Sequence, residues 1–203
     1  MRELDACLRF IREAEGLKSV TRTAWTATGR RESTAEHSWR LALLALLLLD
    51  FYPELDRAKV LSLCLVHDLG ERYEGDRCAS DLPDPLDKAR SEETAMERMC
   101  ALLTPEQGRG VLDLWREYED AVTSEARLVK ALDKAETILQ HNQGKNPDDF
   151  DYDFNLDYGK ALFQGDPILQ ELRAELDLET VKRMEAQRRS DPSPGTQSGA
   201  VPR

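Results

Sequence analysis

The sequence predicts an all-α fold, a single-domain helical bundle of about seven helices. Three observations lead there. Apolar residues recur at helical spacing in segment after segment, the residues between segments are of the kind that cap and stop helices, and no stretch alternates convincingly as a strand. The pattern fills residues 1–189 as one domain. The remainder, 190–203 (SDPSPGTQSGAVPR), has almost nothing to bury and is expected to be a disordered tail.

Leu4, Cys7, Leu8 and Ile11 lie on one helical face, and Gly16 is a stop. Residues 17–33, rich in Thr and Arg, read as a loop. A second helix runs over about 34–51. Its centre, LALLALLLL, is apolar on all sides, which predicts the buried middle of the domain, and Pro53 ends it. A third covers about 56–69, with Asp56 as N-cap and Gly70 as C-terminal stop. Residues 71–87 read as a loop, and a fourth helix follows over about 87–103. Thr104-Pro105-Glu106-Gln107 is a capping box with Pro at the first helical position, opening a fifth helix to about Tyr118. Ser124 caps a sixth to about His141, with Leu128, Leu132, Ala135 and Leu139 on one face. The acidic stretch 144–157 reads as a loop, and Asp166-Pro167 opens a last helix to about Arg188.

Composition narrows the function. The 28 basic residues against 39 acidic give a net charge of −11, a poor match to nucleic acid or an anionic membrane. The longest wholly apolar run, 41–49, is far short of the ~20 residues that span a bilayer, and the charged N-terminus lacks the apolar stretch of a signal peptide. Cys7, Cys64, Cys78 and Cys100 are widely spaced with no CxxC pair, as reduced thiols of a cytoplasmic protein would be.

A sparse set of ligand-type residues stands out. Histidine occurs only at 37, 67 and 141. His67-Asp68 closes the apolar third helix, where either group buried unpaired costs several kcal/mol. A divalent cation offsets that cost, since imidazole and carboxylate both ligate it. Adjacent helical residues diverge by about 100°, so one ion reaches both only near a helix end, and Gly70 marks such an end. His37, early in the apolar second helix, and Asp133, beside the Leu132/Leu139 stripe of the sixth, complete a set of two His and two Asp. His141 lies eight residues past Asp133, about 12 Å along one helix at ~1.5 Å per residue, too far to share a compact site.

Such an ion lowers the pKa of water and offsets phosphoryl charge, which phosphomonoester hydrolysis needs. Glu71, three residues beyond Asp68, projects to the same side if the turn persists, and there it orients or deprotonates water; the plainer alternative is an exposed Glu after a helix stop. Asp76, past Gly75, is placed to accept from a sugar hydroxyl, though Gly-Asp is also a common turn element. Between Lys18 and Arg40 five basic residues (Lys18, Arg22, Arg30, Arg31, Arg40) face two acidic ones (Glu32, Glu36), so this stretch suits an anion in an otherwise acidic chain. Arg22, read as a loop residue without a core role, is the phosphate candidate, because an Arg fork matches phosphate geometry. Trp25 can pack on a base or sugar. Trp39 and Trp115 read as core or interface.

Four segments of the chain resemble the HD-domain phosphohydrolase superfamily, in particular its small 5′-deoxynucleotidase-like branch: Arg22-Thr23-Ala24-Trp25, Glu36-His37-Ser38, His67-Asp68-Leu69-Gly70-Glu71 with Glu74-Gly75-Asp76, and Leu132-Asp133-Lys134-Ala135-Glu136. The resemblance implies a helical bundle of the HD-domain type. It implies that His37, His67, Asp68 and Asp133 hold a metal, that Glu71 and Asp76 lie in the active site with Glu71 near the attacking water, and that Arg22 and Trp25 face the nucleotide. In some members that Arg and Trp are adjacent; here Thr23-Ala24 intervenes. Lys88 and Arg90, which open the fourth helix, resemble basic positions of the family there, either of them placed to approach the site and Lys88 the next phosphate candidate after Arg22, and the resemblance implies a homodimer.

The expected protein is thus a cytoplasmic, metal-dependent phosphomonoester hydrolase that releases phosphate from (deoxy)nucleoside 5′-monophosphates. One divalent ion serves it, with Mn, Co, Fe, Zn and Mg undistinguished, and neither nucleic acid nor membrane is a partner. The alternatives are an HD-domain hydrolase of another phosphorylated small molecule and a non-catalytic nucleotide-binding helical domain. A two-metal site would need further histidines.

Overall fold

The structure, a computed structural model, describes residues 3–75 and 85–190. Helix α1 (Glu3–Ala14) runs into a 3-10 turn (Glu15–Lys18). Strands β1 (Thr21–Trp25) and β2 (Arg31–Ser33) then pair antiparallel, Thr21 opposite Ser33 and Trp25 opposite Arg31. This hairpin corrects the expectation of a loop over 17–33 and of a chain without strands. The signal was there but short: Thr21, Thr23 and Trp25 favour extended backbone and alternate with inward Arg22 and Ala24. The turn uses Gly29 at φ +84°, a conformation that a side chain disfavours.

The remaining described elements are helical: α2 (Thr34–Leu48), α3 (Arg57–Val66), α4 (Glu71–Glu74), α5 (Pro85–Cys100), α6 (Pro105–Asp120), α7 (Ser124–Gln143), α8 (Asp153–Asp157) and α9 (Pro167–Ser190). Asp56 caps α3 through Oδ1, which accepts from the backbone N–H of Ala58 and Lys59 at 2.9 and 3.1 Å. Thr104 caps α6, and Asp166 accepts from the first turn of α9. Three boundaries differ from expectation. Helix α7 is capped by Thr123 rather than Ser124, the stretch 71–87 contains α4, and the acidic stretch 144–157 contains α8. Gly108 sits inside α6 because a Cβ there would lie 2.6 Å from the carbonyl oxygen of Cys100, where α5 crosses closely. The expected tail lies outside the described residues from 191 onward.

Helix α7 is the axis of the fold. Leu128, Val129, Leu132, Ala135 and Ile138 are all buried in a core built with α2, α3 and α9, from Leu41, Ala45, Val60, Leu63, Leu169 and Leu176. A second cluster joins α5 and α6 to the end of α3 and the turn after it, around Met96, Met99, Trp115, Val66 and Leu69. Helix α2 departs from the expectation of all-round burial. Leu41 and Ala45 are inside, but Trp39, Leu43, Leu46 and Leu47, at helical spacing, form an exposed stripe; Phe51 and Leu65 are exposed as well. Trp115 is in the core and Trp39, 64% exposed, is on that stripe.

Candidate metal centre

Three local devices aim the site. Helix α2 starts at a complete capping box: Ser33 Oγ accepts from the N–H of Glu36, and Glu36 Oε2 accepts from the N–H of Ser33 at 2.9 Å. That fixes the first turn, from which His37 points inward with no exposed surface. Helix α3 ends at Val66, so His67 and Asp68 leave on the turn just beyond its last residue, the arrangement that lets neighbouring residues converge. Asp133 lies in the middle of α7, on its buried side.

The four side chains meet. His37 Nε2 stands 3.3 Å from His67 Nε2 and 3.2 Å from Asp133 Oδ1. Asp68 Oδ2 stands 3.0 Å from His67 Nε2 and 3.9 Å from His37 Nε2. Each group is gripped from its far side. His37 Nδ1 hydrogen-bonds to Glu136 Oε2, and His67 Nδ1 donates to the Cys64 carbonyl at 2.9 Å. Asp133 Oδ2 accepts from Tyr118 Oη at 2.8 Å and from Lys134 Nζ at 2.9 Å, and Arg22 reaches Asp68 at 3.5 Å. Acceptors at both Nδ1 atoms hold a ring proton there, so that in the neutral form both Nε2 lone pairs turn inward. Two lone pairs and two carboxylates then face one another in a buried space, which is repulsive unless a cation sits among them. The donor set therefore fits a divalent ion with N/O preference.

The same carboxylates also draw a proton, the competitor of a metal ion for the Nε2 lone pair. Burial and the Arg22 charge oppose protonation of His37, yet Asp133 and Glu136 outweigh them and hold the imidazole up to about 9. Burial disfavours the Asp68 anion, but His67 and His37 hold its carboxyl down to about 2. Asp133 is likewise kept ionised against burial, by Lys134 and His37. The site is a sink for positive charge. Among the four residues Asp68 is the most exposed, with 19% of its side chain open to solvent, so access is from its side.

The HD-domain family matches residues 14–173, a stretch that contains all four ligand-type residues. The chain belongs to the HD-domain family. Two similar proteins are 5′-deoxynucleotidases HDDC2: that of Dictyostelium discoideum is 37% identical over 141 residues, 66% of this chain and 74% of its own length, and that of Homo sapiens 36% identical over 138 residues, 67% of each. A solved structure of a predicted metal-dependent phosphohydrolase from Magnetospirillum magnetotacticum aligns with a TM-score of 0.72 at 29% identity, covering 90% of this chain and 96% of that one.

Other expected residues of this HD domain fall in different places. Glu71 opens α4, and its Oε2 accepts from Thr34 Oγ1 at 2.7 Å, so it stands beside the first turn of α2 that carries His37. Asp76 lies outside the described residues. Lys88 is on α5, and its side chain lies outside the described ones. Arg22 is not the loop residue expected: it is on β1 and only 9% exposed. Its Nη2 donates to Thr137 Oγ1 at 2.9 Å, its Nε lies 3.5 Å from Glu32, and its Nη1 points to Asp68 on the open side. Trp25 packs edge-to-face on Phe150, ring centroids 5.8 Å apart, with Arg31 over its face. His141 is buried and hydrogen-bonded to Asn155 Oδ1 at 2.8 Å, away from the four as its spacing implied.

Residue-by-residue reading missed Glu136, Tyr118, Lys134, Thr34 and Glu32. Glu136 and Lys134 had a detectable signal, because charge at 133, 134 and 136 interrupts the apolar face of α7. Tyr118 and Glu32 had none, since their partners are distant in sequence.

Proposed function

We propose that this HD domain is a metal-dependent phosphohydrolase releasing phosphate from (deoxy)nucleoside 5′-monophosphates. The convergence of His37, His67, Asp68 and Asp133, each braced from behind, carries the reading. The two 5′-deoxynucleotidase relatives supply the substrate class. In this reading the four residues hold one divalent ion, and Mn, Co, Fe, Zn and Mg all suit the donors. When bound, the ion supplies Lewis acidity toward a phosphoryl oxygen and a lowered pKa for water.

The chain supplies the rest. Glu71, its carboxylate steered by Thr34, takes the proton of the attacking water. Arg22, held behind by Glu32 and Thr137, presents Nη1 at the open side as the cation that meets phosphate. Trp25 and Lys88 are read as nucleotide contacts and Asp76 as the acceptor for a sugar hydroxyl. The domain spans 1–189. The exposed stripe Trp39, Leu43, Leu46 and Leu47 is assigned to a homodimer, because contiguous apolar surface of this kind marks an interface. The free thiols of Cys7, Cys64 and Cys100 suit a cytoplasmic enzyme.

The decisive experiment is phosphate release from a panel of deoxy- and ribonucleoside 5′-monophosphates, before and after chelation, with particle mass read by light scattering. Activity is expected to vanish on metal removal, to return with a divalent ion, and to accompany a two-chain mass. Undiminished release after verified metal removal, or none from any nucleotide by metallated protein, overturns the assignment; a one-chain mass overturns the dimer alone.

A further inference from the structure

Behind His37 lies a second layer of charge whose Glu136 and Arg40 the reaction above does not use. Glu136 is three residues beyond Asp133 on α7 and has no exposed surface, and its Oε2 is the partner of His37 Nδ1. Its other oxygen, Oε1, has Arg40 Nη1 at 3.5 Å. Arg40 is tied to α7 through Gln140 and through Gln143 Oε1. Glu32 on β2, 2% exposed, faces the same space, with Arg22 Nε at 3.5 Å. Two carboxylates, two guanidinium groups and the Nδ1 edge of an imidazole ring are therefore packed together, the carboxylates and the ring buried and the Arg40 side chain 23% exposed.

A neutral imidazole carries its proton on one nitrogen and ligates through the other. An ionised carboxylate only accepts, so Glu136 at Nδ1 selects the tautomer with the lone pair on Nε2. We infer that Glu136 is a positioning residue that accepts a hydrogen bond from Nδ1–H of His37 and thereby fixes Nε2 as the metal-facing atom, with Arg40 balancing the Glu136 charge and Arg22 that of Glu32. The inference rests on the metal-centre reading above and deepens it. The opposing arrangement is a second cation held by Glu32, Glu136 and His37 Nδ1, whose ligand atoms lie within 4.8 Å of one another. Two arginines already neutralise that space, which argues against a further ion.

The test uses the full chain. In zinc-loaded wild type, long-range proton–nitrogen NMR spectra are expected to show His37 protonated at Nδ1 and metal-bound at Nε2. Ligation through Nδ1 overturns the inference. Glu136→Gln is expected to weaken Co²⁺ affinity in chelator competition by roughly 10- to 100-fold and to alter the visible Co²⁺ spectrum. A purely packing role instead lowers melting temperature and leaves affinity and spectrum unchanged. If Glu136→Gln does not fold, Arg40→Met, altering a partly exposed side chain, tests the same layer and is expected to weaken affinity in the same direction; unchanged affinity overturns the inference. Two ions per wild-type chain, one of them lost in Glu136→Gln, also overturn it in favour of the second-cation arrangement. A wild type that takes up no divalent ion overturns the underlying reading as well, whereas equal affinity in wild type and variant overturns this inference alone.

Discussion

Each candidate ligand has a working end and a held end, and the held ends separate the residues by role. Asp68 and Asp133 direct oxygens at the imidazole nitrogens, whereas Glu71 Oε2 accepts from Thr34 Oγ1. Asp68→Ala and Asp133→Ala are therefore expected to lower metal content measured by elemental analysis. Glu71→Ala is expected to abolish turnover while keeping the metal and nucleotide binding; equal metal loss in all three variants places Glu71 among the ligands instead. Arg22 was expected to matter for substrate and not for stability, and the structure changes half of that. Truncation leaves Glu32, 2% exposed, without its cation, and an unsatisfied buried group costs about 1–3 kcal/mol. Arg22→Ala is thus expected to lower melting temperature as well as kcat/KM, the latter by roughly 10- to 100-fold for a lost charge-assisted contact of ~1.5–3 kcal/mol. Arg22→Lys is expected to recover part of the activity, because Lys lacks the planar fork that serves Glu32, Asp68 and Thr137 together. A melting temperature equal to wild type returns Arg22 to a purely substrate-facing role. The four ligand-type residues were legible because each is a costly polar group in an apolar segment. The side chains bracing them were not, since Arg22 and Thr137 or His37 and Glu136 are joined only by the fold.

The helices were legible for the same reason that the hairpin was not. A helix repeats its apolar face over three or four turns and advertises its ends with caps, as Asp56 and Thr104 do. Strands of five and three residues offer too few alternations to outweigh the surrounding Thr and Arg. The capping box of α2 is the element that matters most to function, because its first turn carries both Thr34 and His37. Ser33→Ala is expected to cost about 1 kcal/mol in denaturant unfolding. Glu36 adds a pH-dependent part. Its hydrogen bond from Arg30, aided against burial by Ser33, lowers its carboxyl from 4.5 to about 2. A depressed acid contributes stability that is present above 4.5 and lost as pH falls through about 2. With 44% of the side chain exposed, screening reduces the effect to roughly a few tenths of a kcal/mol. Glu36→Gln keeps a cap-competent side chain, so the stability gap between wild type and variant is expected to close between pH 4.5 and about 2. A gap constant over that window shows that the charge contributes nothing.

At the scale of the molecule the site is a brace between elements that the chain keeps apart. His37 comes from α2, His67 and Asp68 from the turn after α3, and Asp133 from α7, and these three are packed together in the main core. Their order along the chain was legible, and so was the bundle. Which face of α2 met the core was not, because a helix apolar on every side carries no moment to orient it. An ion held by residues from three elements binds the folded chain and not the unfolded one. It therefore stabilises the fold by RT ln(1 + [M]/Kd), about 2.7 kcal/mol when free metal is 100 times Kd. A domain of this size shifts by roughly 2–4 °C per kcal/mol, so chelation is expected to lower the melting temperature by about 5–10 °C. Asp133→Ala, which removes a ligand, is expected to show almost no response to chelator. A metallated wild type whose melting temperature is unmoved by chelation would mean that the ion is held too weakly, or from too few elements, to brace the three helices.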